Sequence, residues 1–459
     1  MADGAKPNVL VFFTDQQRWD STGAHGNPLG LTPNFDRMAK SGTHFSQTVT
    51  CQPVCGPARS CLQTGMYATQ TGVYRNEIAL DENANTLAHS FNEAGYNTAY
   101  IGKWHLGGVR LGHYDWDQEP VPEARRGGYD YWLAADATEF TSDAYHTVLF
   151  DNENKAVKLP GYRVDAMTDA AIRYIGEQGS DPFMMFLSFL EPHHQNHTDD
   201  YPAPFGYEEA YRSRWTPPDL AALKGTAQHH LPGYWGMVKR LDEALGRMID
   251  ALYSMGILEN TIIYFISDHG NHFKTRNGEY KRSCHESSVR VPCAAMGPGL
   301  NGGGEISSLM SLVDLPPTIL DSAGLRAPKT MMGKSIMPLV RREEIPWQDD
   351  VFIQISESQV GRAVRTSRWK YSVSAPGIDP IENARAESYV EEFLYDLKSD
   401  PYELANLAGM SSHRKVADRL KERLLKRIRE VEGYEPTIEN APENPEIGQR
   451  RIFEAEVEA

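Results

Sequence analysis

Cysteine is scarce in this sequence, with five residues among 459. Five cysteines do not make a disulfide framework in a chain of this length, so we expect reduced thiols. Long apolar runs are also lacking, and none approaches the ~20 residues that cross a bilayer, which excludes a membrane-spanning helix. Residues 1–7 lack the apolar core of a signal peptide. We therefore expect a cytoplasmic protein, or an exported one whose signal peptide has been removed.

Positive charge is in deficit, because 46 lysines and arginines face 62 aspartates and glutamates, which gives a net charge of −16. A negative surplus of this size argues against nucleic acid and against anionic membranes as partners. It also opposes the long-range attraction of an anionic substrate, so such a substrate must be bound by local cations. The hydrophobic content of 40% and the charged content of 24% are ordinary for a globular protein.

The most informative stretch begins at Cys55 and reads Cys-Gly-Pro-Ala-Arg-Ser-Cys-Leu-Gln-Thr-Gly. Gly56 and Pro57 suit a tight loop that leads into a helix, because proline is tolerated in a first helical turn. A cysteine at such a start lies in the positive end of the helix dipole, where anions also bind. Arg59, one turn on, adds a cationic fork on the same side. The stretch presents a reactive group to something negatively charged, although an isolated cysteine more often simply packs.

Cys-x-Pro-x-Arg followed by Leu-x-Thr-Gly resembles the signature of the type I sulfatases, the formylglycine-dependent members of the alkaline phosphatase superfamily. The resemblance implies that a formylglycine-generating maturation enzyme oxidises Cys55 to an aldehyde. The hydrate of that aldehyde would offer one hydroxyl to attack sulfur and a second to expel sulfate afterwards. Arg59 would hold the hydrate in place. Ala58 stands where many relatives have serine, which leaves the required Cys, Pro and Arg intact.

Three apolar runs read as buried strands of a mostly parallel sheet, residues 96–102 read as another strand, and polar residues follow each of the four. The apolar runs cover residues 8–14, 183–190 and 261–266. Ligands of open α/β sheets bind beyond the carboxyl ends of the strands. We therefore expect the polar residues that follow these runs to meet at one edge of the sheet.

The residues after the first and the last of these runs resemble the sulfatase metal site. The resemblance implies Asp15, Cys55, Asp268 and His269 as ligands, and it makes Gln16, where relatives often have a second aspartate, a candidate ligand only. Carboxylate oxygens suit a hard divalent cation, and we expect calcium. Magnesium and manganese stay open because the imidazole makes the site less purely hard. Taken alone, Asp15 could equally cap the following helix.

Three further blocks resemble sulfatase motifs and carry basic residues. The block Gly-Lys-Trp-His-Leu-Gly implies that Lys103 binds sulfate and the formylglycine, and that His105 takes the proton that releases sulfate. The pair Pro192-His193 implies that His193 acts on the leaving-group oxygen as hydrogen-bond donor or general acid. The third block runs from Lys281 to Pro292. It implies that Lys281 binds sulfate opposite His193 and stabilises charge on the leaving oxygen.

The texture of the sequence changes near residue 338. Short alternating stretches suit an antiparallel sheet, and a charged helix at residues 413–431 follows them. The stretches cover residues 351–355, 361–365, 368–373 and 393–397. We predict an α/β fold with a large mixed, mostly parallel sheet flanked by helices over residues 1–337, as in alkaline phosphatase. Residues 338–459 would form a smaller subdomain with an antiparallel sheet, a helix and an extended tail that hints at a homo-oligomer.

Together these blocks predict an enzyme that hydrolyses a sulfate ester to an alcohol and sulfate. Aromatic, histidine-rich loops at residues 114–132 and 193–211 favour a sulfated sugar over a small aryl sulfate. Within the second loop, His194 and His197 are candidates for the substrate pocket, and a plain loop role for them is equally open. A phosphonate monoester or phosphodiester hydrolase of the same superfamily is one alternative, and a non-catalytic glycan-binding protein with an unconverted Cys55 is the other.

Overall fold

Ten strands form the main sheet of the computed structural model, which describes residues 6–108 and 119–443. The first strands in chain order are β1 (Asn8–Thr14), β2 (Thr43–Phe45), β3 (Thr48–Val49), β4 (Asn97–Lys103), β5 (Tyr131–Ala135), β6 (Thr147–Phe150), β7 (Ala156–Leu159), β8 (Phe183–Ser188), β9 (Thr261–Ser267), β10 (Cys293–Met296), β11 (Gly304–Ile306) and β12 (Met310–Ser311). The main sheet has the order β11-β2-β10-β9-β1-β8-β4-β5-β6-β7, while β3 and β12 pair separately. Strands β9, β1, β8, β4 and β5 run parallel, whereas β10, β6 and β7 are antiparallel to their neighbours. The predicted mixed sheet is confirmed.

Strand β1 shows why the centre of this sheet reads as a continuous apolar run. Side chains alternate between the two faces of a strand, so Val9, Val11 and Phe13 pack on one side. Leu10 and Phe12 pack on the other side. All five side chains are fully buried, which requires cover over both faces of the sheet.

Helices provide that cover. In chain order they are α1 (Pro33–Ser41), α2 (Cys55–Thr64), α3 (Ala68–Thr71), α4 (Leu87–Glu93), α5 (Thr138–Thr141), α6 (Arg163–Glu177), α7 (Tyr207–Tyr211), α8 (Pro218–Ala222), α9 (Ala227–Ser254), α10 (Glu286–Val289), α11 (Leu315–Ser322) and α12 (Met337–Val340). Helices α1, α6 and α9 contribute to one core, and α2, α4 and α11 to the other. In the two described ranges we find no helix with the length and apolar character needed to cross a membrane.

A second sheet occupies the carboxy-terminal part. It consists of β13 (Asp350–Ile355), β14 (Gly361–Thr366), β15 (Trp369–Ser374), β16 (Ser388–Asp396) and β17 (Thr437–Glu439), with α13 (Arg414–Glu432) packed against it. Leu420, Leu424 and Ile428 are fully or almost fully buried on the inner side of α13. The predicted smaller sheet and helix are confirmed, and the boundary at residue 337 stays a prediction.

Strand β17 lies within the tail that we expected to be extended. It pairs parallel with β16 of the same chain, so this part of the tail completes its own sheet. Residues 444–459 of the tail and residues 114–118 of the first predicted substrate loop lie outside the described ranges.

Candidate active site

Polar residues that follow four neighbouring parallel strands meet at one edge of the main sheet. Asp268 follows β9, Asp15 follows β1 and Lys103 ends β4. His193 lies in the loop after β8, which lies between β1 and β4. The four strands point the same way, so their carboxyl ends present these groups together, as expected for an open α/β sheet.

Cys55 is the first residue of α2 and is buried among charged and polar groups. Its Sγ lies 2.9 Å from Lys281 Nζ and 3.2 Å from His269 Nε2. Asp15 Oδ1 is 3.5 Å away from the same sulfur atom. The helix start is tied down by Asn76, whose Oδ1 accepts a hydrogen bond of 2.9 Å from the Gly56 backbone N–H. A cysteine that only fills a core would have apolar neighbours, so this environment is that of a reactive group.

Four of these side chains form a potential metal cluster, which consists of Asp15, Cys55, Asp268 and His269. Each offers a ligand atom, and these atoms lie within 4.8 Å of one another. His269 Nδ1 is 3.0 Å from the Gly270 carbonyl oxygen, so Nδ1–H donates there and leaves the Nε2 lone pair for a metal ion.

The electrostatics of this cluster fit a bound cation. Burial, together with the neighbouring Asp15, raises the pKa of Asp268 to about 7. Asp268 Oδ2 is buried and accepts no hydrogen bond from the described residues. Burial lowers the pKa of His269 to about 4, which keeps its imidazole neutral and able to ligate. A divalent ion would compensate both the orphaned oxygen and the paired carboxylate charges.

Gln16, the candidate fifth ligand, has its side-chain amide engaged by other groups. Its Oε1 accepts a hydrogen bond of 3.1 Å from Lys281, and its Nε2 lies 3.3 Å from the Tyr201 hydroxyl. Its backbone N–H donates to Asp268 Oδ1 over 2.9 Å. Gln16 therefore orients the cluster through its backbone and positions Lys281 through its side chain.

Arg59 is fixed rigidly beside the cluster. Its Nη2 is 2.9 Å from Asp15 Oδ2, and its Nη1 donates to the Lys103 carbonyl oxygen over 2.7 Å. The same Nη1 donates to Ser188 Oγ over 2.8 Å, and the guanidinium lies over the Phe13 ring. Burial disfavours the charge of Asp15, yet Lys103 and Arg59 hold the pKa of this carboxyl well below its usual range.

Lys103 forms ion pairs with two carboxylates, and the sequence predicted neither contact. Its Nζ lies 2.9 Å from Asp15 Oδ2 and 2.9 Å from Glu139 Oε1. Burial disfavours the ammonium, but Asp15, Cys55 and Glu139 outweigh it and raise the pKa of Lys103. Glu139 lies on the single-turn helix α5, inside a segment without a clear period, so no pattern marked it.

The histidines differ in their surroundings. Burial lowers the pKa of His105, and Lys103 adds to the effect. Burial, followed by Lys281, lowers the pKa of His193, whose ring stacks on that of His194 at 4.3 Å. The third histidine of this loop, His197, is half exposed and pairs with Asp143 at 3.2 Å.

These groups open into a cavity of about 480 Å³. A volume of this size falls within the roughly 300–1,000 Å³ of small-molecule sites. Its described lining includes the predicted site residues Cys55, His105, His193 and Lys281, as well as His194. The structure therefore brings the predicted catalytic and metal residues together, and four of them line a space that can hold a ligand.

Comparison with protein families gives a match to the sulfatase family over residues 7–325. A second match, to the carboxy-terminal domain of N-sulphoglucosamine sulphohydrolase, covers residues 278–430. The chain belongs to the sulfatase family. It is therefore a sulfuric ester hydrolase, and the family implies a metal ion and a formylglycine, for which the cluster around Cys55 has suitable residues.

Relatives of known name support this membership. The chain of this sulfatase is 29% identical to an ulvan-active sulfatase of Formosa agariphila, over 93% of this chain and 82% of that protein. It is 25% identical to an N-acetylglucosamine-6-O-sulfatase of Bacteroides thetaiotaomicron, over 98% and 90% of the two chains. A solved structure named as a sulfatase of Bacteroides fragilis has the same fold, with a TM-score of 0.81 at 24% identity, covering 94% of this chain and 97% of that one.

Proposed function

We propose that this sulfatase removes sulfate from a sugar. The names of two relatives support the proposal, since one acts on ulvan and the other on N-acetylglucosamine 6-sulfate groups. The cavity supports it too, because histidine, asparagine and tyrosine side chains in its lining can bond to sugar hydroxyls. The observation that carries the proposal is that Cys55, held among Lys281, His269 and Asp15, lines the same cavity as these side chains.

We infer calcium as the metal ion and formylglycine, made from Cys55 by a formylglycine-generating enzyme, as the modified residue. Asp15 and Asp268 supply the oxygen donors that calcium prefers, with magnesium and manganese as the other candidates. When bound, the hydrated aldehyde would supply the nucleophilic hydroxyl and the cation would polarise a sulfate oxygen.

The cationic side chains would bind and orient the sulfate group. Lys281 and Lys103 each approach the residue-55 side chain, with their Nζ atoms 2.9 Å and 3.8 Å from Cys55 Sγ. Arg59, held by Asp15 and Ser188, would fix that side chain in one orientation. Buried cations of this kind offset the anion strongly because little water screens them.

Two histidines would move protons. The lowered pKa of His105, caused by burial and Lys103, leaves it neutral and able to take a proton from a residue-55 hydroxyl. His193 Nδ1 is 2.6 Å from the His194 carbonyl oxygen and donates its proton there. Nε2 of His193 therefore donates only when the ring gains a second proton, which a sulfate anion favours. His193 would then act as a general acid at the leaving oxygen.

Turnover of a panel of sulfated mono- and oligosaccharides tests the proposal, with protein co-produced with a formylglycine-generating enzyme. We expect sulfate release from at least one sugar and formylglycine at position 55 in peptide mass spectra. Cys55→Ala abolishes release, whereas Cys293→Ala, a buried cysteine in β10, retains it. Preference for an aryl phosphonate by orders of magnitude would overturn the proposal. So would undiminished sugar binding by protein that carries a free Cys55 thiol and releases no sulfate.

A further inference from the structure

Five charged residues of the cavity lining form what we call the rim: Arg75, Glu77, Glu279, Arg282 and Glu357. They come from three segments that are far apart in the sequence. Glu77, Arg282 and Glu357 have φ angles of 71°, 68° and 63°, a left-handed conformation that residues with a side chain rarely adopt. Strained backbone of this kind persists only where the surrounding structure holds it, and it is concentrated at functional sites.

Both arginines of the rim are already paired with glutamates. Arg75 Nη1 lies 3.5 Å from Glu77 Oε2. Arg282 Nη1 lies 3.1 Å from Glu279 Oε2, and its Nη2 lies 2.5 Å from Glu357 Oε2. Three glutamates against two arginines leave the rim with one net negative charge. The side chains of Glu77 and Glu279 are half exposed and therefore available to an entering ligand.

Deeper in the cavity the lining carries Glu139, which is paired with Lys103, and Lys281, which has no carboxylate partner among the described residues. Lys281 Nζ contacts the Cys55 sulfur at 2.9 Å and the neutral amide oxygen of Gln16 at 3.1 Å. Its positive charge is therefore directed to the position where a sulfate group would sit. The cavity thus offers a cationic place for one anion, surrounded by a rim whose cations have carboxylate partners.

We propose that the rim selects sulfate esters whose alcohol part carries no second negative charge. The substrate is then a singly sulfated neutral or amino sugar, and this step rests on the proposed function for the sugar itself. A second sulfate or a uronate carboxylate would approach Glu77 and Glu279 without a free cation of the rim to pair with. Like charges brought together in this way exclude a competing partner more than they alter the binding of the right one.

The experiment uses two aryl sulfates of almost equal shape, 4-carbamoylphenyl sulfate and 4-carboxyphenyl sulfate, which differ by one negative charge. The leaving phenol of the neutral probe is also the more acidic, so the change in the ratio between variants is the readout. We expect kcat/KM for the neutral probe to exceed that for the charged probe. In the double variant Glu77→Gln, Glu279→Gln the ratio of kcat/KM for the neutral probe to that for the charged probe falls by about 3-fold or more. In the wild type, 0.5 M salt also lowers this ratio because exposed charges are screened. The control is Glu259→Gln, at an exposed position just before the amino end of β9 and so away from the site at its carboxyl end. It leaves the ratio unchanged.

Competitive inhibition of sugar-sulfate turnover is measured with the same probes, so a probe that binds without reacting still reports. Equal inhibition constants for the two probes, or tighter binding of the charged probe, overturns the inference. So does a ratio of kcat/KM values that is the same in the double variant as in the wild type. These outcomes are independent of the sugar panel. Failure of every sulfated sugar with normal discrimination between the aryl probes would instead count against the sugar as substrate.

Discussion

Glu139 Oε1 lies 2.9 Å from Lys103 Nζ, and both side chains are buried beside the position that we propose for the sulfate. A carboxylate next to an anion-binding site weakens the attraction for the anion. Glu139 nevertheless helps to fix Lys103, because the ammonium group is held between the carboxylates of Asp15 and Glu139. We infer that Glu139 lowers the affinity for the sulfate but keeps Lys103 in the correct orientation.

Glu139→Gln should therefore separate the two kinetic constants. Loss of the ion pair loosens Lys103, and we expect kcat to fall roughly 10- to 100-fold, the scale on which misplaced catalytic groups act. KM should stay constant or fall, because the repulsion of the sulfate is removed. Steady-state kinetics with a sugar sulfate or an aryl sulfate check this. A rise in KM at constant kcat would contradict the positioning role.

Asp268 makes the stability of the metal-free protein depend on pH. Its pKa of about 7 in the folded state lies above the ordinary 3.8, because of burial and Asp15. Between pH 4 and 7 the folded protein therefore holds a proton that the unfolded chain has lost, and stability falls as pH rises through this window. Asp15 changes the stability in the opposite direction. Because its pKa is lowered in the folded state, the stability that it contributes is lost only as the pH falls below about 4.

The variant Asp268→Asn isolates this contribution, since asparagine resembles the protonated acid. In chelator-treated protein we expect it to raise Tm by roughly 5 °C at pH 8 and to change it little at pH 5. Calcium at pH 8 should reverse the order by stabilising only the wild type. Asp250→Asn, at an exposed position of α9, is the control and should show neither effect. Equal Tm differences at both pH values would refute the assignment.

Calcium titrations should distinguish Asp15 from its neighbour Gln16. Asp15→Asn removes the charge of a proposed ligand, and calcium affinity should fall by at least the roughly 10- to 100-fold that even a supporting residue contributes. The Gln16 amide is engaged by Lys281 and Tyr201, so Gln16→Ala should change the affinity by less than about 10-fold. Isothermal titration of chelator-stripped protein measures both. Equal losses in the two variants would make Gln16 a ligand.

The sequence alone was sufficient to predict which residues lie at the strand ends, but it did not predict how the loops place their side chains. A run such as that of β1 must be buried on both faces, so the position of Asp15 at the sheet edge followed from periodicity alone. The residue types at Cys55, Lys103 and Asp268 then matched a family pattern. The roles that we give to these residues stay predictions, as does the location of the protein in the cell.

Glu139 and the rim could not be predicted for a physical reason. Helix α5 has a single turn, too short for a recognisable repeat. The rim depends on residues such as Glu77 and Glu357 in left-handed conformations, which are imposed by surrounding contacts and not by local preference. Glu357, for example, accepts a hydrogen bond of 2.6 Å from the Asn76 backbone across 281 residues of sequence.

The start of helix α1 depends on a carboxylate from another helix, which gives a last prediction. Thr32, at the N-cap position, makes no capping hydrogen bond with its side chain. Asp242 of α9 replaces it, because its Oδ2 and Oδ1 accept hydrogen bonds of 3.0 Å and 2.8 Å from the backbone N–H groups of Asn34 and Phe35. The bond from Phe35 is buried and the bond from Asn34 is partly buried, so water does not fully replace them when they are lost.

Asp242→Ala should therefore lower the free energy of unfolding by about 2 kcal/mol, the upper range for loss of a helix cap, since the buried N–H of Phe35 remains unpaired. Asp250→Ala, at an exposed position of the same helix, should change it by less than about 0.5 kcal/mol. Asp242→Asn should retain part of the stability, because the amide oxygen still accepts one bond. Urea unfolding of the three variants measures these differences, and equal effects of Asp242→Ala and Asp250→Ala would show that α1 needs no cap from α9.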